Sequence, residues 1–184
     1  AICVAMRSNI NLFQGYYFCK PTYNLDMFVV DEILSKIIEI GTIFRARTIT
    51  SINDKRKLIN YYCDVSQNII EQFFDILKTE EIMYKELVNY FDLEAIYLID
   101  GKTSKQINST VIKSVNDRFR PTKHGDEHFL KEYYYITLES KQGIYLSHNY
   151  ISYATGNLCK TFARKFELEN QTYIICLDII IKRN

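Results

Sequence analysis

A chain of 184 residues with 47% hydrophobic composition can bury one full core with a helical layer beside it. Its 23 basic residues balance 22 acidic ones to a formal charge of +1, so no field of one sign is available to hold a nucleic acid or an anionic membrane surface. No apolar run approaches the ~20 residues that span a bilayer, so the chain reads as soluble and cytoplasmic, and its start at Ala1 reads as a beginning inside a longer protein.

Residues 2 to 21, ICVAMRSNINLFQGYYFCKP, are expected to form a short helical stretch and then an aromatic strand that stops at Pro21. From Asp26, a candidate N-cap, to about Arg47, apolar residues fall at Met27, Val30, Ile33, Leu34, Ile37, Ile38 and Ile40, the spacing of an amphipathic helix. Ser51 with Asp54 fits a capping box, which predicts a second helix carrying Leu58, Tyr62, Val65, Ile69, Phe73 and Ile76 on one stripe. A third helix is expected over roughly Glu80 to Phe91. These stripes are longer than one small sheet needs to cover, so a homodimer seam is expected along them.

After Asp92 the texture changes to strands: Ala95 to Ile99 ending at the turn Asp100-Gly101, then Tyr133 to Leu138, Ile144 to His148, Leu158 to Phe166 and Tyr173 to Ile181. Long helices followed by about five mostly antiparallel strands predict an α+β domain. The five cysteines form an odd set without a CxxC pair, and they read as free thiols, mostly in apolar stretches.

The densest polar cluster is RFRPTKHGDEHF, residues 118 to 129. Pro121 holds Arg120 extended, so that its guanidinium can meet a carboxylate with two prongs. His124 and His128 stand four apart, as a metal site on a helix requires, but Gly125 breaks the helix and no third ligand lies near. No metal and no cofactor is expected, and both imidazoles read as pocket lining or surface. Tyrosines cluster as Tyr133, Tyr134, Tyr135, Tyr145, Tyr150 and Tyr153, each offering a ring to pack and a hydroxyl to orient a small ligand. Asp178 lies in the apolar strand YIICLDIII on the face of Ile174 and Cys176, where a carboxylate is costly without a partner. No GxSxG, P-loop or GxGxxG occurs, so no activated nucleophile or phosphate cradle is in view.

The stretch NLFQGYYFCKP, residues 11 to 21, resembles the closing strand of an EAL-domain cyclic-di-GMP phosphodiesterase, with its QGYxF-x-[KR]-P pattern. Only Gln14 matches a site position. The metal-binding glutamate of E-x-L and the aspartates of D-D-F-G are absent, and Glu94-Ala95-Ile96 imitates the first by chance. The rest resembles the EAL-associated C-terminal signalling domain of the YkuI type and, more broadly, Cache (PDC) sensors related to PAS domains. The residues that carry the resemblance are AIYLIDG (95 to 101), FRPTKH (119 to 124), KEYYYITLES (131 to 140), GIYLSHNYISYATGNLCKTFA (143 to 163) and ICLDI (175 to 179).

The resemblance implies a barrel remnant over 1 to 21, a helical dimerisation layer over 22 to 92 and a PAS-like Cache sheet over 93 to 184. In ligand-binding relatives an arginine and tyrosines hold a ligand carboxylate and a late aspartate takes an amine. Arg120, Tyr150 and Asp178 follow that order here, although the tryptophan often found near the arginine is missing, since the chain has no Trp. With His128, Tyr135, Tyr145 and Thr161 they make up the expected ligand site. The implied role is a non-catalytic sensor of a small polar ligand that regulates an upstream EAL domain; the rival is a structural homodimerisation module without a ligand.

Overall fold

The computed structural model describes Met6, 16 to 21, Tyr23, 27 to 72, 79 to 113 and 120 to 181. The chain divides into two compact units, Ala1–Lys57 and Leu58–Asn184. The expected strand before Pro21 and the N-cap at Asp26 fall largely outside the described residues; Tyr16 to Phe18 form a turn.

The apolar periodicity after residue 26 produces one helix, not two. Helix α1 runs unbroken over Met27–Ile70. The start expected at Ser51 does not occur, because nothing forces the backbone out of the helix there: the Thr50 hydroxyl bonds back to the Ala46 carbonyl at 3.0 Å and the turn continues. In the first unit Lys36 Nζ bridges Glu32 at 2.7 Å and reaches the Phe18 carbonyl at 3.3 Å.

In the second unit α2 (Thr79–Asn89) leads into β1 (Leu93–Asp100) and β2 (Val111–Ile112), then α3 (Glu132–Glu139), β3 (Ile144–Leu146), β4 (Tyr150–Ile151), β5 (Leu158–Leu168) and β6 (Gln171–Ile180). The sheet is antiparallel in the order β2-β1-β6-β5-β3, with β4 also pairing β5. Helix α3 corrects the strand expected at Tyr133 to Leu138. Tyr133, Tyr134, Thr137 and Leu138, buried or half-buried like Ile136, recur at helical spacing, and that packing overrides the strand preference of three tyrosines.

Alternation along the strands separates two faces. On one, Leu93, Ile96, Leu98, Phe162, Ile175, Leu177 and Ile179 pack under Tyr62, Val65 and Ile69 of α1 and Met83 and Leu87 of α2. The other carries Tyr97, Ile99, Ala163, Ile174 and Cys176 with Tyr134 of α3, and Asp178 and Thr161 in the same alternation. A two-residue turn at Glu169 and Asn170, both at positive φ, sets the register between β5 and β6. That register runs without a slip from Leu168–Gln171 to Thr161–Asp178, so the hairpin places a hydroxyl directly opposite the carboxyl. At the other end of β6, Gly101 lies so close to Thr172 that a Cβ there would stand 2.8 Å from its carbonyl oxygen.

Candidate functional site

Asp178 is 5% exposed in the middle of the sheet. Thr161 Oγ1 donates to its Oδ1 at 2.8 Å, and Tyr150 lies 2.8 Å from the same Thr161 oxygen. Because the threonine proton is committed to the carboxyl, the tyrosine hydroxyl donates to threonine, giving a relay Tyr150 to Thr161 to Asp178. Burial pushes the Asp178 carboxyl up to about 6 against the pull of the Thr161 and Tyr150 hydroxyls, and Glu94 adds to the rise. Burial and then Asp178 itself push up the phenols of Tyr150 and Tyr97.

A second network adjoins it. Gln106 donates its amide to the Asn108 carbonyl at 2.7 Å and Thr110 Oγ1 at 2.9 Å, which leaves Oε1 to accept from His128 Nε2 at 2.9 Å. His128 Nδ1 is then an acceptor, and Tyr133 donates to it at 2.6 Å while receiving Tyr97 at 3.3 Å. The His128 ring also stacks on Tyr97 with centroids 5.6 Å apart. Burial, helped by the charge of Lys131, pushes this imidazole down to about 4, so it is neutral at physiological pH.

Of the residues expected at the site, Tyr150, Thr161 and Asp178 share one chain of hydrogen bonds, and His128 stands in the network built on Tyr97. Tyr145 is half-buried against the cluster of Tyr97 and Tyr134. Tyr135 is 50% exposed on α3, and Arg120 is exposed at the head of the loop that delivers His128. Neither takes part in the relay. His124 is exposed and its ring meets the Ile107 carbonyl, away from His128. Among the described residues no group of three His, Cys, Asp or Glu could hold a metal ion.

Sequence reasoning missed Glu94. It is 4% exposed, and the register shift between Leu93 and Ala95 marks a bulge at its position. Its two oxygens accept from Asn157 Nδ2 at 2.5 Å and Cys159 Sγ at 3.0 Å. The available signal was the one that exposed Asp178: a carboxylate entering an apolar strand. Tyr97 and Gln106 carried no such signal, because one reads as core and the other as loop.

The sequence matches no protein-family model and no curated protein. Among solved structures it is similar to the Bacillus subtilis YkuI protein, which has an EAL domain and was crystallised with c-di-GMP and calcium. That match has a TM-score of 0.64 at 17% identity over 99% of this chain and 46% of the other. It is also similar to the ligand-binding domain of the Campylobacter jejuni chemoreceptor Tlp3 in complex with 4-methylisoleucine, with a TM-score of 0.58 at 14% identity over 85% of this chain and 64% of that one. The same domain with L-valine gives 0.58 at 15% identity over 85% and 65%. The chain thus spans under half of the Bacillus protein and just under two thirds of the chemoreceptor domain. At these identities the likeness shows the fold alone: a long helix on an antiparallel six-stranded sheet. No helix among the described residues is long and apolar enough to cross a membrane.

Proposed function

We propose that this chain is a non-catalytic sensory domain that anchors a small polar ligand through a cationic group at Asp178 and regulates an EAL domain preceding it in one cytoplasmic polypeptide. The observation that carries the reading is Asp178 itself. It is a buried carboxyl whose hydrogen-bond donors are neutral hydroxyls, and among the described residues no cation bridges it. An ammonium group would supply the missing charge. Where the ligand also bears a carboxylate, the reading assigns it to Arg120. The likeness to chemoreceptor ligand-binding domains supports sensing, and the likeness to an EAL-domain protein supports the regulated partner.

The test is a thermal-shift screen of amines, amino acids and organic acids. A compound at 100 times its dissociation constant stabilises by about 2.7 kcal/mol, so ammonium-bearing compounds are expected to raise the melting temperature of the native chain but not of Asp178→Asn. If every amine and amino acid leaves the native melting curve unchanged, the sensing reading falls.

We further propose that two copies pair along the first unit of α1. Met27, Leu34, Ile37, Ile38, Ile49 and Ile52 are each 47–76% exposed and fall within an arc of about 120° at 100° per residue. Light scattering should give twice the 21.8 kDa chain mass. A monomer at high protein concentration would refute pairing while leaving ligand sensing intact.

A further inference from the structure

We propose that Glu94 is a positioning residue of the Asp178 site: it ties the turn that follows Tyr150 to the head of β1 and holds a second carboxylate beside Asp178. The inference rests on Asp178 being the ligand's anchor. Tyr150 stands on β4, a strand of two residues with only the pairs Tyr150–Cys159 and Ile151–Leu158 to hold it. The chain then turns through Ser152 to Asn157, closed by Ser152 N to the Asn157 carbonyl and Gly156 N to the Ser152 carbonyl, both at 2.8 Å. Gly156, at φ 80°, makes that closure possible. A ladder so short fixes a hydroxyl poorly.

Glu94 supplies the missing restraint from across the sheet, 63 residues away in sequence, by accepting the Asn157 side chain at 2.5 Å. Its other oxygen takes the Cys159 thiol, the residue that pairs with Tyr150, at 3.0 Å. The end of the turn and the β5 limb that pairs with Tyr150 therefore both hang on one carboxylate. A bulge is a recurrent means of re-aiming a side chain, and the register shift at Glu94 does that here.

Both donors to Glu94 are neutral, and among the described residues no cation bridges it. The groups that face it are Asn157, Cys159 and, at longer range, Asp178 and Lys113. The Lys113 ammonium is itself held by the carbonyls of Tyr90 and Phe91 at 2.6 and 3.0 Å. The groups that face Asp178 are Tyr97, Cys176, Thr161, Tyr150, Cys159, Tyr133 and Glu94. Within this set Glu94 is the one other carboxylate, so its removal acts on Asp178 through charge as well as through shape.

The experiment follows the Asp178 carboxyl carbon by NMR through a pH titration, and the exchange of the Tyr150 hydroxyl proton with water, in the native chain, Glu94→Gln and Asn157→Ala. Glu94→Gln should titrate Asp178 at a lower pH than the native chain, a change that loosened packing alone would not produce. In Asn157→Ala the Tyr150 proton should exchange about tenfold faster, the scale of one lost hydrogen bond. Superimposable Asp178 titrations in the native chain and Glu94→Gln overturn the proposal, as does unchanged Tyr150 exchange in Asn157→Ala. Should Glu94→Gln fail to fold, the Asn157→Ala measurement decides it. A parallel melt with n-butylammonium separates the two readings: no stabilisation of the native chain at any concentration sinks Asp178 as an anchor, while the two NMR measurements still judge Glu94.

Discussion

Asp178→Asn makes the ligand-free protein more stable at neutral pH, by as much as about 3 kcal/mol. The native carboxyl titrates at about 6 in the folded chain against 3.8 in the open one, so between those values the folded state holds the proton more tightly. Stability therefore falls as pH rises through that window and stays reduced above it. Asparagine is uncharged throughout, can accept the Thr161 hydroxyl, and removes the loss. Near pH 4 the two proteins should unfold alike, and at pH 7 the variant should melt higher by about 5–10 °C. Urea or thermal melts of both proteins across this range check it; equal stability at pH 7 would mean that Asp178 is not held ionised against its surroundings. His128 works in the opposite sense, since its imidazole is pushed down to about 4 and stability tied to it is lost as pH falls from about 6.5 towards that value. The native profile is thus the sum of two opposed slopes, and only the difference between variant and native isolates Asp178.

Phe162→Ala is expected to cost about 3–5 kcal/mol. The side chain is fully buried on β5, and its ring centroid lies 5.9 Å from that of Tyr62 on α1. Removing it opens a cavity between helix and sheet that the antiparallel ladder cannot close by sliding, because any slip would also carry Thr161 away from Asp178. Denaturant melts give the magnitude directly. A loss under about 1 kcal/mol would mean that the helix collapses into the gap without cost.

The helical layer was legible because its apolar residues repeat at the period of a helix, which no loop imitates for so long. The false boundary at Ser51 shows the weakness of a capping motif without a breaker: serine and aspartate three apart suit a helix surface as well as a start. The mistaken strand at Tyr133 failed differently, since three aromatics favour a strand wherever backbone partners exist and only packing against Tyr97 and Ile174 decides otherwise. Strands β2 and β4 span two residues each, too few to leave a period at all. At the site, Asp178 could be found because it interrupts an apolar alternation. Its link to Thr161 follows from the turn at Glu169 and Asn170 once the register is known. Glu94 reads in the sequence as a chance motif at the entry to a strand, and no local pattern announces a bond to Asn157 across so much intervening chain.

Strand β5 presents Cys159 and Thr161 on one face of the sheet and Phe162 and Arg164 on the other. Arg164 grips the last turns of α1 at the Cys63 carbonyl (2.8 Å), Ser66 Oγ (3.1 Å) and Gln67 Oε1 (2.7 Å). A strand is a single backbone thick, so the hydroxyl that meets Asp178 and the guanidinium that clasps the helix are mounted on the same short rod, three residues apart. Because the ladders to β6, β3 and β4 hold this strand on both edges, a ligand that displaces Thr161 pulls on the same stretch of backbone that carries the helix clasp.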